Sequence, residues 1–413
     1  MTRWQWLVRL LCRRMWFRAA LVCAFGGALA LAGALVGHTI SYDFAATIGA
    51  KSVDGILGIL ASSMLAVTTF SLTAMVSAYA GATSTITPRA VQLLIDDSTA
   101  QNTLATFLGS FLFAIVGIVA LSTGLYGESG RVILLIGTII VILFIVVTLL
   151  RWIEHIARFG RVSDTIDRVE QAAIEAVDKM IVPLSLDTGA VPAEREGMSR
   201  VLPDRLARVT HVDVAVLGEV AAAIDADIHV MALPGKLVEP SRAIALVDGA
   251  CDDAALAKVR QAFTLSHHRA FDYDPRFGLV VLSEIASRAL SPAVNDPGTA
   301  IAVIEAGARV LSRFVGHRPR REAGVPARVH FPAIRLCDLL DDLCRPIARD
   351  GAAIVEVGVR LQKALSAIAR EAAEARPLLV REARDAAARA GAALTSEADR
   401  AVIERTHREA FAA

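Results

Sequence analysis

Residues 132–150 read VILLIGTIIVILFIVVTLL, an apolar run without a charged residue. A helix needs about 20 mostly apolar residues to cross the hydrocarbon core of a bilayer. Water is absent there, so the backbone must satisfy its own hydrogen bonds, as it does in a helix. The run therefore predicts a membrane-spanning helix and puts the protein in a membrane α-helical fold class.

Three further uncharged runs precede this one, and each is long enough to span a membrane. They are Ala19–Gly37, Gly55–Pro88 with its best span at Ile56–Ala80, and Ser98–Gly127 with its span near Leu104–Leu125. Together the four runs predict a four-helix transmembrane domain over residues 19–152. A basic cytoplasmic N-terminus over residues 1–18 precedes it.

The charge distribution separates this half of the chain from the rest. The 413 residues are 54% hydrophobic and 21% charged, with 43 basic and 42 acidic side chains. Residues 19–150 hold eight of these charges, whereas residues 151–413 hold 72, or 27%, close to the usual value of about 25% for soluble proteins. The net charge of the chain is close to zero, which gives no reason to expect a nucleic-acid partner.

Basic residues beside the predicted spans set their orientation, because short cytoplasmic flanks are enriched in Lys and Arg. An even number of spans places both termini on one side, and the arginines put that side in the cytoplasm, which predicts a multi-pass membrane protein with cytoplasmic termini. The alternative is a cleaved secretory signal near Ala28–Ala30, which would leave three spans. The arginines are Arg3, Arg9, Arg13, Arg14 and Arg18 before the first span and Arg151, Arg158, Arg161 and Arg168 after the fourth.

The second predicted span carries a stripe of hydroxyl side chains at helical spacing. Its members are Ser62, Thr69, Thr73 and Ser77. One interpretation is a polar stripe that lines a pore or a substrate path. The other is helix packing, with each hydroxyl bonded to a carbonyl one turn back. After this span, Pro88 suits the first position of a short interfacial helix, and Arg89 suits either lipid phosphates or a plain loop.

Beyond the membrane domain, the pattern predicts an amphipathic connecting helix over residues 153–182 that continues the fourth span, and then a turn-rich linker over residues 183–204. Residues 205–413 predict a mixed α/β, mainly helical, cytoplasmic domain with a helical C-terminal part. Expected strands are Ala207–Val212, Asp227–Ala232, Ala243–Val247 and Arg328–Phe331. Expected helices run from Asp213 to Ile224 and over 252–264, Arg276–Leu290, Pro297–Phe314, 336–349, 352–375 and 377–411.

Candidate ligand-binding residues fall in two polar blocks, Arg269, Asp272 and Asp274 in the first and Asn295 and Asp296 in the second. Arg269 with a neighbouring Asp predicts either an ion pair or a phosphate-binding site. Asp296 before Pro297 is typical of a helix cap, and Pro292 ends the preceding helix. Because that helix separates the blocks by roughly 22 Å, a single compact metal site from both is disfavoured. No catalytic motif, metal site or cofactor is predicted.

A signature of a bacterial family of predicted membrane proteins of unknown function resembles residues 274–279 and 283–288 together with the segment Ala289-Leu290-Ser291-Pro292-Ala293-Val294-Asn295-Asp296-Pro297-Gly298-Thr299-Ala300 that follows them. Pro88-Arg89 extends the resemblance to the membrane half. It implies the same architecture of four N-terminal spans and a cytoplasmic region. It implies no activity.

Two functions follow as expectations. The first is an integral inner-membrane protein that forms an oligomeric solute channel or transporter with a cytoplasmic sensing domain. The alternative is a membrane-tethered enzyme, or a ligand-binding or scaffold module, that acts through the cytoplasmic domain. Expected partners are the lipid bilayer, further copies of the chain and a small-molecule ligand.

Overall fold

The computed structural model describes residues 50–95, 97–123, 128–180, 184–185, 194–316 and 326–412, with isolated positions at 17, 20, 21, 24 and 28. The chain forms two compact units. The apolar unit takes its described residues from 50–84 and 91–161, and the mixed unit from 85–90 and 162–412. Most of the described residues are helical.

Helices account for nearly all of the described residues before 160. They are α1 (Ala50–Thr85), α2 (Pro88–Ile95), α3 (Ser98–Ser122) and α4 (Glu128–Arg158). Three segments, Val53–Thr83, Ser98–Ser122 and Ile133–Arg158, are long and apolar enough to cross a membrane. They coincide with three of the predicted spans. The predicted first span, Ala19–Gly37, lies outside the described residues apart from four isolated positions.

Large side chains from three helices form the core of the apolar unit. Leu57 and Met75 of α1, Phe107 and Phe113 of α3, and Trp152 of α4 are buried there. The opposite face of α4 exposes Ile, Leu and Phe side chains, among them Ile139, Ile140, Leu143 and Phe144. An apolar outer surface of this kind is what contact with lipid tails requires.

The connecting helix over 153–182 was predicted to continue the fourth span without a break, and this continuity is wrong. Residues 159–161 separate α4 from α5 (Val162–Asp178). Gly160 has φ +78°, a left-handed conformation that a right-handed helix cannot contain and that glycine adopts readily. A Cβ at Gly160 would lie 3.3 Å from Cβ of Ala78. Glycine therefore ends α4 where the chain passes close to α1.

Short strands and helices alternate in the first part of the mixed unit. The strands are β1 (Leu184–Ser185), β2 (Ser199–Val201), β3 (Ala207–Val212), β4 (Ile228–Val230), β5 (Leu237–Val238), β6 (Ala245–Val247), β7 (Phe263–Ser266), β8 (Val329–His330) and β9 (Ile334–Arg335). The helices are α6 (Val214–Ile224), α7 (Asp253–Gln261), α8 (Pro275–Ala289), α9 (Pro297–Gly316), α10 (Leu336–Asp350), α11 (Val355–Glu371), α12 (Arg376–Ala393) and α13 (Glu397–Phe411), with a 3-10 turn at Ala373–Ala375.

The strands form three small sheets. Their orders are β2-β6-β4-β8, β5-β3-β7 and β1-β9. The pairs β4–β8 and β1–β9 are parallel, and the other neighbours are antiparallel. Valine and isoleucine side chains of the two larger sheets share one buried core, which includes Val201, Val209, Ile228 and Val247.

The four predicted strands and the cap of α6 are confirmed, and three other details are wrong. The linker 183–204 contains β2, which pairs with β6. The helix expected over 252–264 stops at Gln261, because Phe263–Ser266 pair with β3 instead. The helix expected over 377–411 is two helices, since the hydroxyl of Ser396 accepts a hydrogen bond from the Asp399 backbone amide and starts a new one.

Close helix packing surrounds α8. Gly278 of α8 lies against Ala173 of α5, where a Cβ would come within 2.4 Å of the alanine Cβ. Gly307 of α9 is in a similar position, 2.4 Å from a methyl group of Leu343 of α10. The absence of a side chain at these two glycines therefore sets the spacing of the helices.

Gly278→Ala tests this packing. The added methyl meets another Cβ, which cannot rotate away, so we expect a loss of about 1–3 kcal/mol of unfolding free energy. The matched control is Gly391→Ala in α12, where no atom lies within 4 Å of the new Cβ. It should be neutral or stabilise by up to about 1 kcal/mol. Thermal unfolding of the full-length protein in detergent measures both, and equal melting temperatures would contradict the packing.

Candidate functional site

The carboxylate of Asp274 lies at the start of α8 and is 2% exposed. One of its oxygens accepts a hydrogen bond of 3.2 Å from the backbone amide of Phe277, which caps the helix. The guanidinium of Arg269 binds both oxygens, with Nε–Oδ2 at 2.7 Å and Nη2–Oδ1 at 3.0 Å. This is the two-pronged geometry that makes Arg–carboxylate pairs strong.

Two contacts fix this pair. The guanidinium of Arg269 lies over the ring of Phe277, 4.9 Å from its centroid. Gly235 has φ +92°, and a Cβ there would lie 2.1 Å from Oδ2 of Asp274. Only glycine leaves room for the carboxylate at this turn. Its role was not predicted, although Pro234-Gly235 is a recognisable turn sequence.

Burial raises the pKa of Asp274, and the hydrogen bonds and charges of Arg269, the Phe277 amide and Arg276 oppose that rise. Desolvation disfavours the ionised carboxyl, while a cation and hydrogen-bond donors favour it. The two predicted site residues thus bind each other. The geometry matches the ion-pair interpretation, and ligand binding by Arg269 and Asp274 stays a prediction.

Asp272 lies in the same loop. Its charge acts on His211 of β3, whose ring meets that of Tyr273 edge-on at 5.0 Å. Burial lowers the pKa of His211, and the charges of Asp213 and Asp272 partly offset this effect. The first polar block is therefore attached to the β3–β7 sheet by aromatic and charge contacts.

The second polar block lies at the other end of α8, as predicted. Asp296 caps α9, because its carboxylate accepts bonds of 3.1 Å from the Thr299 amide and 2.6 Å from the Thr299 hydroxyl. These bonds lower the pKa of Asp296. Asn295 is exposed and has φ +49°, which completes the turn between the helices. The structure therefore does not bring the two blocks together.

The hydroxyl stripe is exposed along α1, and we call Ser62, Thr69, Thr73 and Ser77 the hydroxyl face. Three hydroxyls donate to carbonyls one turn back. The distances are 3.0 Å for Ser62 to Gly58, Thr69 to Leu65 and Thr73 to Thr69. These bonds are the ones the packing interpretation expects. The hydroxyl face nevertheless points away from the buried side of α1, and a pore-lining role stays a prediction.

Sequence reasoning missed the partner of Arg89. Arg89 forms an ion pair with Glu284 of α8, and the Thr87 hydroxyl donates a bond of 3.1 Å to the same carboxylate. Ile86 and Ala90 beside them are at most 1% exposed. One hint of this contact was present in the sequence, because Pro88-Arg89 and Glu284 both belong to the segments that carry the family resemblance. The segment 85–90 is thus attached to α8 within the mixed unit.

A second missed cluster lies in the apolar unit. Asp97 caps α3 through a bond of 2.8 Å from the Ala100 amide. Its carboxylate is 3.4 Å from Nε2 of His155, and the imidazole stacks on Trp152 at 5.6 Å. The side chains of Asp97 and His155 are largely buried. The cluster joins α3 and α4. A histidine near the end of an apolar helix is the feature of the sequence that could have indicated this cluster.

The comparison with known families agrees with the three apolar helices. A family model described as "Predicted membrane protein (DUF2254)" matches residues 12–367. The match extends into α11 and leaves α12 and α13 outside it. No curated protein and no solved structure matches the chain.

Arg269→Met tests the buried pair. It leaves the carboxylate of Asp274 without its cation, and we expect a loss of about 3–5 kcal/mol of unfolding free energy at pH 7. The pKa of the buried carboxyl rises further, so the folded state takes up a proton before the unfolded chain does. The loss should therefore shrink as the pH falls toward about 4, the usual pKa of Asp.

Denaturant unfolding of the full-length protein in detergent at pH 7 and pH 5 measures this effect. Arg242→Met is the control, since the Arg242 side chain is 81% exposed and pairs with Glu239 on the surface. It should change the unfolding free energy by less than about 1 kcal/mol. An Arg269→Met protein as stable as this control would contradict the assignment.

Proposed function

This chain belongs to the DUF2254 family of predicted membrane proteins, and we propose that it forms an oligomeric channel or transporter for a small solute in a bacterial inner membrane. The mixed unit is its cytoplasmic sensing domain. The hydroxyl face carries the proposal, because it is the polar side of an otherwise apolar helix and is exposed on the single chain.

Copies of the chain would convert this face into a polar path. Ser62, Thr69 and Thr73 already donate to their own helix backbone, so they tolerate lipid, and their oxygens still accept hydrogen bonds. When several copies of α1 meet, these oxygens line a common surface that a solute can use in place of water. The exposed apolar side chains of α4 offer no such acceptors and suit contact with lipid.

The proposed topology has four spans with both termini in the cytoplasm. Five arginines before residue 19 and four between residues 151 and 168 support it, since basic flanks remain on the cytoplasmic side. The segment 85–90 supports it as well, because it belongs to the mixed unit together with residues 162–412. Two of the spans lie between this segment and residue 162, so the segment and the C-terminal part fall on the same side.

Leucine substitutions on the hydroxyl face test transport. Thr69→Leu with Thr73→Leu removes two oxygens from the path, and we expect the uptake of glycerol and xylose into proteoliposomes to fall at least about tenfold, as for two lost hydrogen bonds of about 1 kcal/mol each. Thr148→Leu is the control, because Thr148 lies on α4 and also bonds to its own backbone, at Phe144. Absent uptake would contradict transport, and equal uptake by all variants would contradict the hydroxyl face as its path.

Reporter fusions in a bacterial host test the topology. Alkaline phosphatase is active only outside the cytoplasm, and we expect activity when it is inserted at Lys51 and none when it follows Asp97 or Ala413. A fluorescent-protein fusion should give the opposite pattern. N-terminal sequencing of the purified protein checks that the first span is retained, and an active phosphatase at the C-terminus would refute the orientation.

A further inference from the structure

A groove of about 400 Å³ opens between α9, α11 and α13. It lies within the mixed unit, away from Arg269, Asp274 and Asp296. Its volume is in the range of small-molecule sites, which hold about 300–1,000 Å³. The groove was not predicted, because its wall combines three helices that are distant in the sequence.

The floor of the groove is aliphatic. Val355 and Val359 are one turn apart on α11, and Ile301 of α9 and Val402 of α13 face them across the space. All four side chains are partly exposed, so a ligand can cover them. Covering such surface is favourable by about 25 cal/mol per Å² of apolar area.

The position of each charge along the groove follows from the register of helices α11 and α13. Helices α11 and α13 run parallel, because Gly358 lies beside Ile403, and Gln362 bonds to His407 at 2.9 Å. Further along, Ser366 bonds to the carbonyl of Ala410 at 2.7 Å. In this register the start of α13 lies beside the start of α11.

The acidic and basic rim residues therefore occupy opposite ends. Glu356 and Asp399 both lie in the first turns of their helices and mark one end. Arg360 and Lys363 lie one and two turns further along α11. Seven residues separate Glu356 from Lys363, which is about 10 Å along the helix.

Three of these charges have no ion-pair partner in the described part of the chain, namely Glu356, Lys363 and Asp399. Arg360 is bound to Glu305 of α9 at 3.1 Å. Elsewhere on the same helices, opposite charges pair across the interface, as Arg309 does with Glu170 at 2.6 Å. The groove thus presents unused charges of both signs beside an apolar floor.

We propose that this groove binds a short aliphatic peptide with free termini. Glu356 and Asp399 receive the terminal ammonium, Lys363 receives the terminal carboxylate, and the aliphatic side chains cover the valines and the isoleucine. An extended dipeptide spans about 7 Å, and a tripeptide about 10 Å, which matches the separation of the two ends. Assigning this ligand to the sensing role rests on the proposed function, whereas the binding itself does not.

Equilibrium dialysis of the full-length protein in detergent against radiolabelled leucyl-leucine and trileucine tests the proposal. We expect saturable binding at one site. N-acetylation or C-terminal amidation of the peptide removes one charge, and each should weaken binding about two- to fivefold. Binding is measured without flux, so a failure here leaves the transport proposal standing, and absent transport leaves this one standing.

Lys363→Gln should weaken binding of the unmodified peptide about two- to fivefold and leave binding of the amidated peptide unaffected. Lys258→Gln on α7 is the matched control, since Lys258 is also exposed but lies outside the groove. Circular dichroism checks that both variants fold. The proposal would be overturned if binding were not saturable or if Lys363→Gln and Lys258→Gln bound the peptide equally well. It would also be overturned if blocking the peptide termini left the affinity unchanged.

Discussion

A polar group removed from water is far more stable with a hydrogen-bond partner than without one, and this preference shapes both units of the chain. In the apolar unit the partner is local, as when the buried Thr138 hydroxyl donates to the Leu134 carbonyl one turn back at 2.7 Å. In the mixed unit it is distant, since the buried carboxylate of Asp274 is held by Arg269 and by the amide of Phe277. Helix α8 begins at that carboxylate, and α5, α9 and α10 pack around α8.

Features that depend on residues close together in the sequence were predictable. Three of the expected spans and the caps at Asp213 and Asp296 follow from local hydropathy and from helix-capping preferences. The break at Gly160 was not predictable, because it depends on the approach of Ala78 from another helix. Strand β7 was missed for a similar reason, since its pairing with β3 overrides the helical pattern of 252–264.

The candidate site shows the same division. The sequence predicted that Arg269 and Asp274 matter, and it left an ion pair and a ligand site as alternatives. The space that admits the pair belongs to Gly235, about 40 residues earlier in the chain. The bond between Thr87 and Glu284 joins residues 197 positions apart. Such contacts depend on tertiary packing, and no local pattern encodes them.

Charge placement in the mixed unit distinguishes surfaces that hold helices together from a surface that can recognise a ligand. Arg313 and Asp178 pair at 2.6 Å across α9 and α5, so each offsets the charge of the other. An exposed charge such as that of Lys363 is stable alone, because water solvates it. When a ligand displaces that water, an opposite charge on the ligand must replace it. A groove with unpaired charges of both signs therefore favours a ligand that carries both, since a singly charged ligand would leave one end desolvated.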